Sequence, residues 1–250
     1  MMQFRELSCQ KVGHCMIVRF VSPMNVRGWA ARIANELEDL CAEANWDEET
    51  RVVVLAYPGK ILHSTGEGVE WGEVDHASLV RPVAQLRQPV IAAIEGDAMG
   101  IGLELALACD IRIGTEGARF GMPHICDGLI PSAGGTQRLP RLIGPGKAME
   151  MILTGETVDA AEARRIGLFH RVVPASELMD AATTLAQEMA GRSPLATSYV
   201  KEALHSGLDL TIDQGMRMEL DLYLLLFSTQ DRTEGIEAFK EKRKPEFEGV

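Results

Sequence analysis

Several features are missing from these 250 residues, and each absence removes a class of protein. No apolar run reaches the roughly 20 residues that a membrane-crossing helix needs. Basic side chains are outnumbered, 25 Lys and Arg against 36 Asp and Glu, for a net charge of −11. That balance argues against a nucleic-acid surface, which needs a basic face. The five cysteines (Cys9, Cys15, Cys41, Cys109, Cys126) are odd in number and show no CxxC spacing. Reduced thiols in a cytoplasm-like compartment are expected, rather than a disulfide frame or a zinc site. The six histidines are dispersed without an HxxxH pattern, so no metal centre is expected. The opening MMQFRELSCQ carries neither an apolar signal core nor an Arg/Ser-rich transit pattern, and a cytoplasmic protein is expected. There is no repeat of fixed period and no low-complexity tract.

What is present is ordinary for a globular chain: 46% hydrophobic and 24% charged residues. The length suits one large domain, or a domain with an appendage. Phe4–Ser8 and Cys15–Phe20 read as strands, Trp29–Ala44 as an amphipathic helix, and Arg51–Ala56 as an apolar strand. Residues 63–72 form a polar, glycine-rich loop before a helix at Ala77–Arg87, which Pro89 stops. Short strands and helices follow one another without a clean α/β alternation. Beyond Pro145 the pattern is mostly helical. Asp159 is placed to N-cap Ala160–Ile166, and helices are expected at Ser176–Ala190, Pro194–His205, Leu208–Phe227 and Thr233–Lys242. The best boundary is Gly191-Arg192-Ser193-Pro194. It divides a core of residues 1–190 from a helical region of residues 191–250.

The chain is organised around Val90 to Gly144. Val90–Ile94 reads as a buried strand, Gly96 to Gly100 as a turn, and Ile101–Cys109 as an apolar helix with one carboxylate, Glu104. A turn of this kind leaves free N–H groups at the helix start, and these favour negative charge such as a developing enolate. Within this stretch the runs IEGDAMGIGLELALACDIRIG, ARFGMP and GLIPSAGGTQRLPRLIG resemble the crotonase superfamily, the enoyl-CoA hydratases and isomerases. The resemblance covers nearly the whole chain and is most specific from Ile94 to Gly144.

The resemblance implies an α/β fold, a right-handed spiral of ββα turns with a C-terminal helical region. It also implies a site. Backbone N–H groups of Glu67 and Ile101 would form an oxyanion hole for a thioester oxygen. Substrate and coenzyme A contacts would fall on Val26, Ser64, Thr65, Gly66, Gly100, Pro123, Asp127 and Gly128, with Phe239 and Lys242 near the nucleotide. No cofactor is implied beyond the coenzyme A of the substrate itself. The implied assembly is a homotrimer or a homohexamer made as a dimer of trimers. On residues alone, the apolar Leu222–Phe227 run serves equally well for packing on its own core.

Glu104 sits among leucines and an alanine. Ionised carboxylates are rarely buried without partners. Three readings stand: a structural hydrogen bond, an acid/base group of raised pKa, or a surface helix residue. Family matching places Glu104 on one of the two glutamates that hydratases use on water. The second glutamate belongs 20 positions later, where this chain has Pro123-His124. An imidazole can move protons near neutral pH, although a lone histidine is more often structural. Asp127 is able to orient it, or simply to form an Asp-Gly turn. Carbon–carbon hydrolases of the superfamily carry histidine here with an aspartate nine residues on, and this chain has Ala133 there. The resemblance thus implies an acyl-CoA enzyme, with hydration first, hydrolytic cleavage of a β-oxoacyl compound second, and a weakly catalytic acyl-CoA-binding protein third.

Overall fold

The computed structural model describes residues 4–21, 29–57 and 76–250. In chain order the elements begin with strands β1 (Leu7–Val12) and β2 (Cys15–Phe20), helix α1 (Trp29–Trp46), β3 (Val52–Tyr57) and α2 (His76–Ala84). The central turn of the spiral is β4 (Val90–Ile94), β5 (Ala98–Met99) and α3 (Ile101–Ala108). Next come β6 (Ile111–Thr115), β7 (Arg119–Gly121), a 3-10 turn (Pro123–Asp127), α4 (Gly135–Ile143) and α5 (Pro145–Thr154). Then follow β8 (Thr157–Asp159), α6 (Ala160–Arg165), β9 (Arg171–Val173) and α7 (Leu178–Ala190). Three helices close the chain: α8 (Pro194–Gly207), α9 (Ile212–Leu226) and α10 (Gln230–Glu241).

The main sheet has the order β1-β2-β3-β4-β6-β9. β1 and β2 form an antiparallel hairpin, and every later neighbour is parallel. A parallel sheet is covered on both faces, which is why its strands are nearly continuous runs of Val, Ile and Ala. The two-residue period sorts those side chains. Val53, Leu55, Val90, Ala92 and Ile94 join the larger core with α1, α2 and α3. Val52, Val54, Ile91, Ala93 and Ile113 face α7 on the other side. Helix α7 presents Leu178, Ala182, Ala186 and Ala190 there, a stripe spaced by four whose small side chains let it lie close to the strands. A second, smaller sheet has the order β5-β7-β8. Two consecutive turns, β4-β5-α3 and β6-β7-α4, each place one strand in the main sheet, one in the small sheet and then a helix.

The end of α3 is fixed by two buried groups. Asp110 Oδ2 accepts hydrogen bonds from Val90 N at 2.7 Å and Lys201 Nζ at 2.7 Å. His205 Nε2 lies 2.9 Å from Asp110 Oδ1. Arg112 donates to the carbonyls of Cys109 at 2.7 Å and Leu168 at 2.9 Å, capping the helix from inside the core. Lys201 and His205 belong to α8, so this cluster also ties the C-terminal helices to the sheet.

The structure shifts some expected elements. The first strand is β1 at Leu7–Val12, not Phe4–Ser8. Its outward Ser8, Gln10 and Lys11 hide the apolar alternation that marks an inner strand. The expected helix at Leu208–Phe227 starts at Ile212, because Thr211 and Gln214 form a capping box there. Asp159 caps α6 as expected, accepting from Glu162 N at 2.8 Å. All five cysteines are free thiols. Burial pushes Cys9 up to about 11 and Cys41 and Cys109 up to about 12.

Candidate active site

Three pieces of chain converge on Glu104. The first is α3, which Gly100 opens with φ 54° and an N–H donated to Gly121 O at 3.0 Å. An L side chain seldom adopts that backbone angle, so glycine is required where the strand turns into the helix. Ile101 is the first residue of α3, and its N–H therefore has no acceptor within the helix. Glu104 lies one turn in and is 1% exposed, so the surface reading is excluded.

The second piece is the segment between the 3-10 turn and α4. Ala133 N and Gly135 N each donate to Glu104 Oε1 at 2.8 Å. Gly135 is the first residue of α4, so the carboxylate sits at the positive end of that helix as well. A Cβ at Gly135 would lie 2.7 Å from Met122 Sδ and 2.8 Å from Pro131 Cβ. Only glycine brings this N–H so close to the floor of the site. Sequence reasoning missed both donors, since a backbone N–H leaves no side-chain signature. The one available signal was the Gly134-Gly135 pair ahead of an amphipathic run.

The third piece is the 3-10 turn. Pro123 begins it, Gly128 ends it at φ 71°, and Leu129 N closes it onto His124 O at 3.0 Å. This turn buries His124, which is 4% exposed, and sets its Nε2 3.7 Å from Glu104 Oε2. Glu104 Oε2 receives no hydrogen bond from the described residues. The structure therefore brings Glu104 and His124 together, 20 residues apart in sequence, with one carboxylate oxygen anchored and the other turned to the imidazole. Asp127 is exposed at the end of the turn.

The electrostatics match this geometry. Burial pushes the Glu104 carboxyl above the ordinary carboxylate range. The N–H groups of Gly135, Ala133 and Ser132 and the Arg138 guanidinium pull the other way without reversing it. A carboxyl held in this way can exchange a proton closer to neutral pH than a solvated one.

Of the other expected contacts, Gly100 and Ile101 open α3 ahead of Glu104, and Pro123 and Gly128 begin and end the turn that carries His124. Phe239 is 84% exposed near the end of α10, and Lys242 is exposed just beyond it with φ 58°. Val26, Ser64, Thr65, Gly66 and Glu67 lie outside the described residues.

A crotonase spiral with a buried carboxylate beside a helix-opening glycine defines a class of acyl-CoA enzymes, and comparison with known proteins agrees. The family model described as enoyl-CoA hydratase/isomerase matches residues 15–250. The chain is 34% identical over 257 residues to the short-chain-enoyl-CoA hydratase of Clostridium acetobutylicum, covering 98% of each chain. It is 39% identical over 226 residues to the 2,3-dehydroadipyl-CoA hydratase of Escherichia coli K12, covering 87% of each. The enoyl-CoA hydratase structure from Bacillus anthracis superposes with a TM-score of 0.91 at 36% identity, covering 98% of this chain and 100% of that one. The chain belongs to the enoyl-CoA hydratase/isomerase family, and it is an enzyme of the crotonase fold.

Proposed function

We propose that the chain adds water across the α,β double bond of an enoyl-CoA thioester. The observation that carries this reading is the buried pair, Glu104 Oε2 facing His124 Nε2 at 3.7 Å. One water oxygen can sit about 2.8 Å from both atoms at once, a normal hydrogen-bond length. In the reaction the water oxygen bonds to the β-carbon, and the π electrons move towards the thioester oxygen. N–H groups of Ile101 and Glu67 hold that developing charge. The proton leaving the water passes to the Glu104/His124 pair, which returns one proton to the α-carbon, so that the net change is addition of one water and the pair ends in its starting protonation state. Carboxylate and imidazole here take the work that two carboxylates share in relatives with a second glutamate.

The imidazole at residue 124 is also what a carbon–carbon hydrolase of the superfamily carries. Against that reading, residue 133 is Ala133, with a backbone committed to Glu104, and Asp127 is exposed. The deciding experiment incubates the enzyme with enoyl-, dienoyl- and β-oxoacyl-CoA thioesters and weighs the products. Gain of one water without fragmentation is expected. Two fragments would establish cleavage, and bound but unchanged thioesters would establish a binding protein.

The same reading places the coenzyme A nucleotide beside Phe239 and Lys242, and places α8 and α9 between subunits of a trimer or a dimer of trimers. Its support is that neither α8 nor α9 has a buried residue, while Leu208 is 73% and Ile212 78% exposed. Sedimentation at micromolar concentration should show a trimer or hexamer, and a stable monomer would remove this part of the proposal. Lys242→Ala should weaken coenzyme A binding in calorimetry, with a dependence on salt, and leave folding intact. Unchanged affinity would take Lys242 out of the site.

A further inference from the structure

We infer that Arg138 is a positioning residue for Glu104, fixing the peptide that aims two N–H groups at the carboxylate. The inference rests on Glu104 having the acid/base role proposed above. Arg138 lies on the first turn of α4 and is half-buried. Its Nη1 donates to Ala133 O at 2.9 Å. That carbonyl belongs to the peptide joining Ala133 and Gly134. The peptides on either side of it carry the N–H groups of Ala133 and Gly135, the two donors to Glu104 Oε1. Arg138 therefore holds the middle of three consecutive peptide planes, and the outer two hold the catalytic carboxylate. If the middle plane rotates, both donors swing away together.

Gly134 is part of the same device. It has φ 103° at the N-cap of α4, and a Cβ there would collide with Arg138 Nη1. The residue before α4 must thus be glycine, both for its backbone angle and to let the guanidinium lie across it. Arginine remains charged over the working pH range and offers a rigid planar fork. Its charge also acts on Glu104 directly and opposes the effect of burial. Among the described residues, the titratable groups facing Glu104 are His124 from the 3-10 turn and Arg138 from α4.

The test uses the full chain with Arg138→Gln, which removes the charge and keeps a donor, Arg138→Met, which removes both, and Arg138→Lys, which keeps the charge. The first readout needs no substrate. Infrared titration of the ligand-free enzyme follows the Glu104 carboxyl band, assigned by its loss in Glu104→Gln. Arg138→Gln should raise its midpoint by about one pH unit, and Arg138→Lys should restore it. The second readout is hydration of crotonyl-CoA, in which Arg138→Met should lower kcat about 10- to 100-fold with little change in KM. If the Met variant does not fold, the Gln variant decides. An unmoved midpoint in Arg138→Gln overturns the inference, as does a loss of thermal stability with kcat and midpoint unchanged. If instead Glu104→Gln keeps full turnover, the hydration reading fails, and the infrared midpoint still decides whether Arg138 controls Glu104.

Discussion

Helix α3 carries a carboxylate at each end, buried Glu104 in its first turns and partly buried Asp110 just past its last residue, and the fold treats the two oppositely. Glu104 has one oxygen anchored by two N–H groups and the other left facing His124, and burial raises its pKa. For Asp110, burial works in the same direction, but hydrogen bonds from His205, Lys201 and Val90 N outweigh it and hold the carboxyl below the ordinary range. Asp110 lies at the negative end of the α3 dipole, where an anion needs cations to be tolerated. Lys201 supplies one, and His205 Nε2 lies against the other oxygen of the carboxylate. One helix thus displays a carboxylate whose pKa is raised and a carboxylate kept ionised as a structural tie. Opposed shifts of this kind mark acid/base assignments in enzyme sites generally.

The comparison can be broken at either end. The largest effect is expected at the reactive end. Glu104→Gln keeps size and can still accept both N–H bonds, yet removes the proton-exchanging oxygen. Turnover should fall roughly 100- to 10,000-fold with little change in KM. The folded state should be no less stable, which circular dichroism during denaturant unfolding will show. At the structural end the signs reverse. Asp110→Asn should cost about 3 kcal/mol of stability, because Lys201 loses its buried partner, and should leave kcat per folded molecule unchanged. An Asp110→Asn variant that loses turnover without losing stability would mean that the two ends had been assigned the wrong way round.

The pH dependence of stability sharpens the contrast. The Asp110 pKa is depressed in the fold, so its contribution is present above the unfolded value of about 3.9 and disappears as pH falls through the folded value. The stability gap between the unsubstituted chain and Asp110→Asn should therefore close below about pH 4. For Glu104, whose pKa is raised, the stabilising contribution exists below the unfolded value of about 4.3 and is lost as pH rises through the folded value. Glu104→Gln should accordingly gain stability relative to the unsubstituted chain on going from pH 4 to pH 8. A gap for Asp110→Asn that persists below pH 4 would contradict the first assignment, and a Glu104→Gln curve parallel to that of the unsubstituted chain from pH 4 to pH 8 would contradict the second.

A smaller effect is expected on the peptide that holds Glu104. Gly135→Ala puts a methyl group against Met122 and Pro131, so the donor must move. A loss of about 10-fold in kcat is expected, since misplacement by a fraction of an ångström already costs rate. Unchanged kcat would show that this N–H is dispensable.

What the sequence disclosed of these two regions differs for physical reasons. Strand β4 and helix α3 were visible because fully buried apolar runs bounded by glycines leave a strong pattern, whereas the two-residue β5 lay inside what read as a turn. Glu104 stood out as a charge with no place among leucines. His124 was visible only through a spacing matched to relatives, since nothing local marks it. Helix α4 was not among the expected helices; it opens on Gly134-Gly135 and contains Pro140, both of which weaken a helical pattern. The partners of Asp110, Lys201 and His205, lie 91 and 95 residues further on, beyond any local periodicity. The two N–H donors and the Arg138 bond to Ala133 O depend on backbone orientation, which residue types do not encode. The small strand β8 is only three residues long and takes its identity from pairing with β7.

The account rests on Glu104 and His124 acting on the same water. Its most direct test is the kcat of Glu104→Gln, His124→Gln and the double variant on one enoyl-CoA that the unsubstituted enzyme hydrates. Each single change should cost roughly 100- to 10,000-fold, and the double variant should be scarcely slower than the slower single one, because one water cannot be deactivated twice. Losses that multiply, or a His124→Gln variant with full turnover, would show that the two side chains do not share that water.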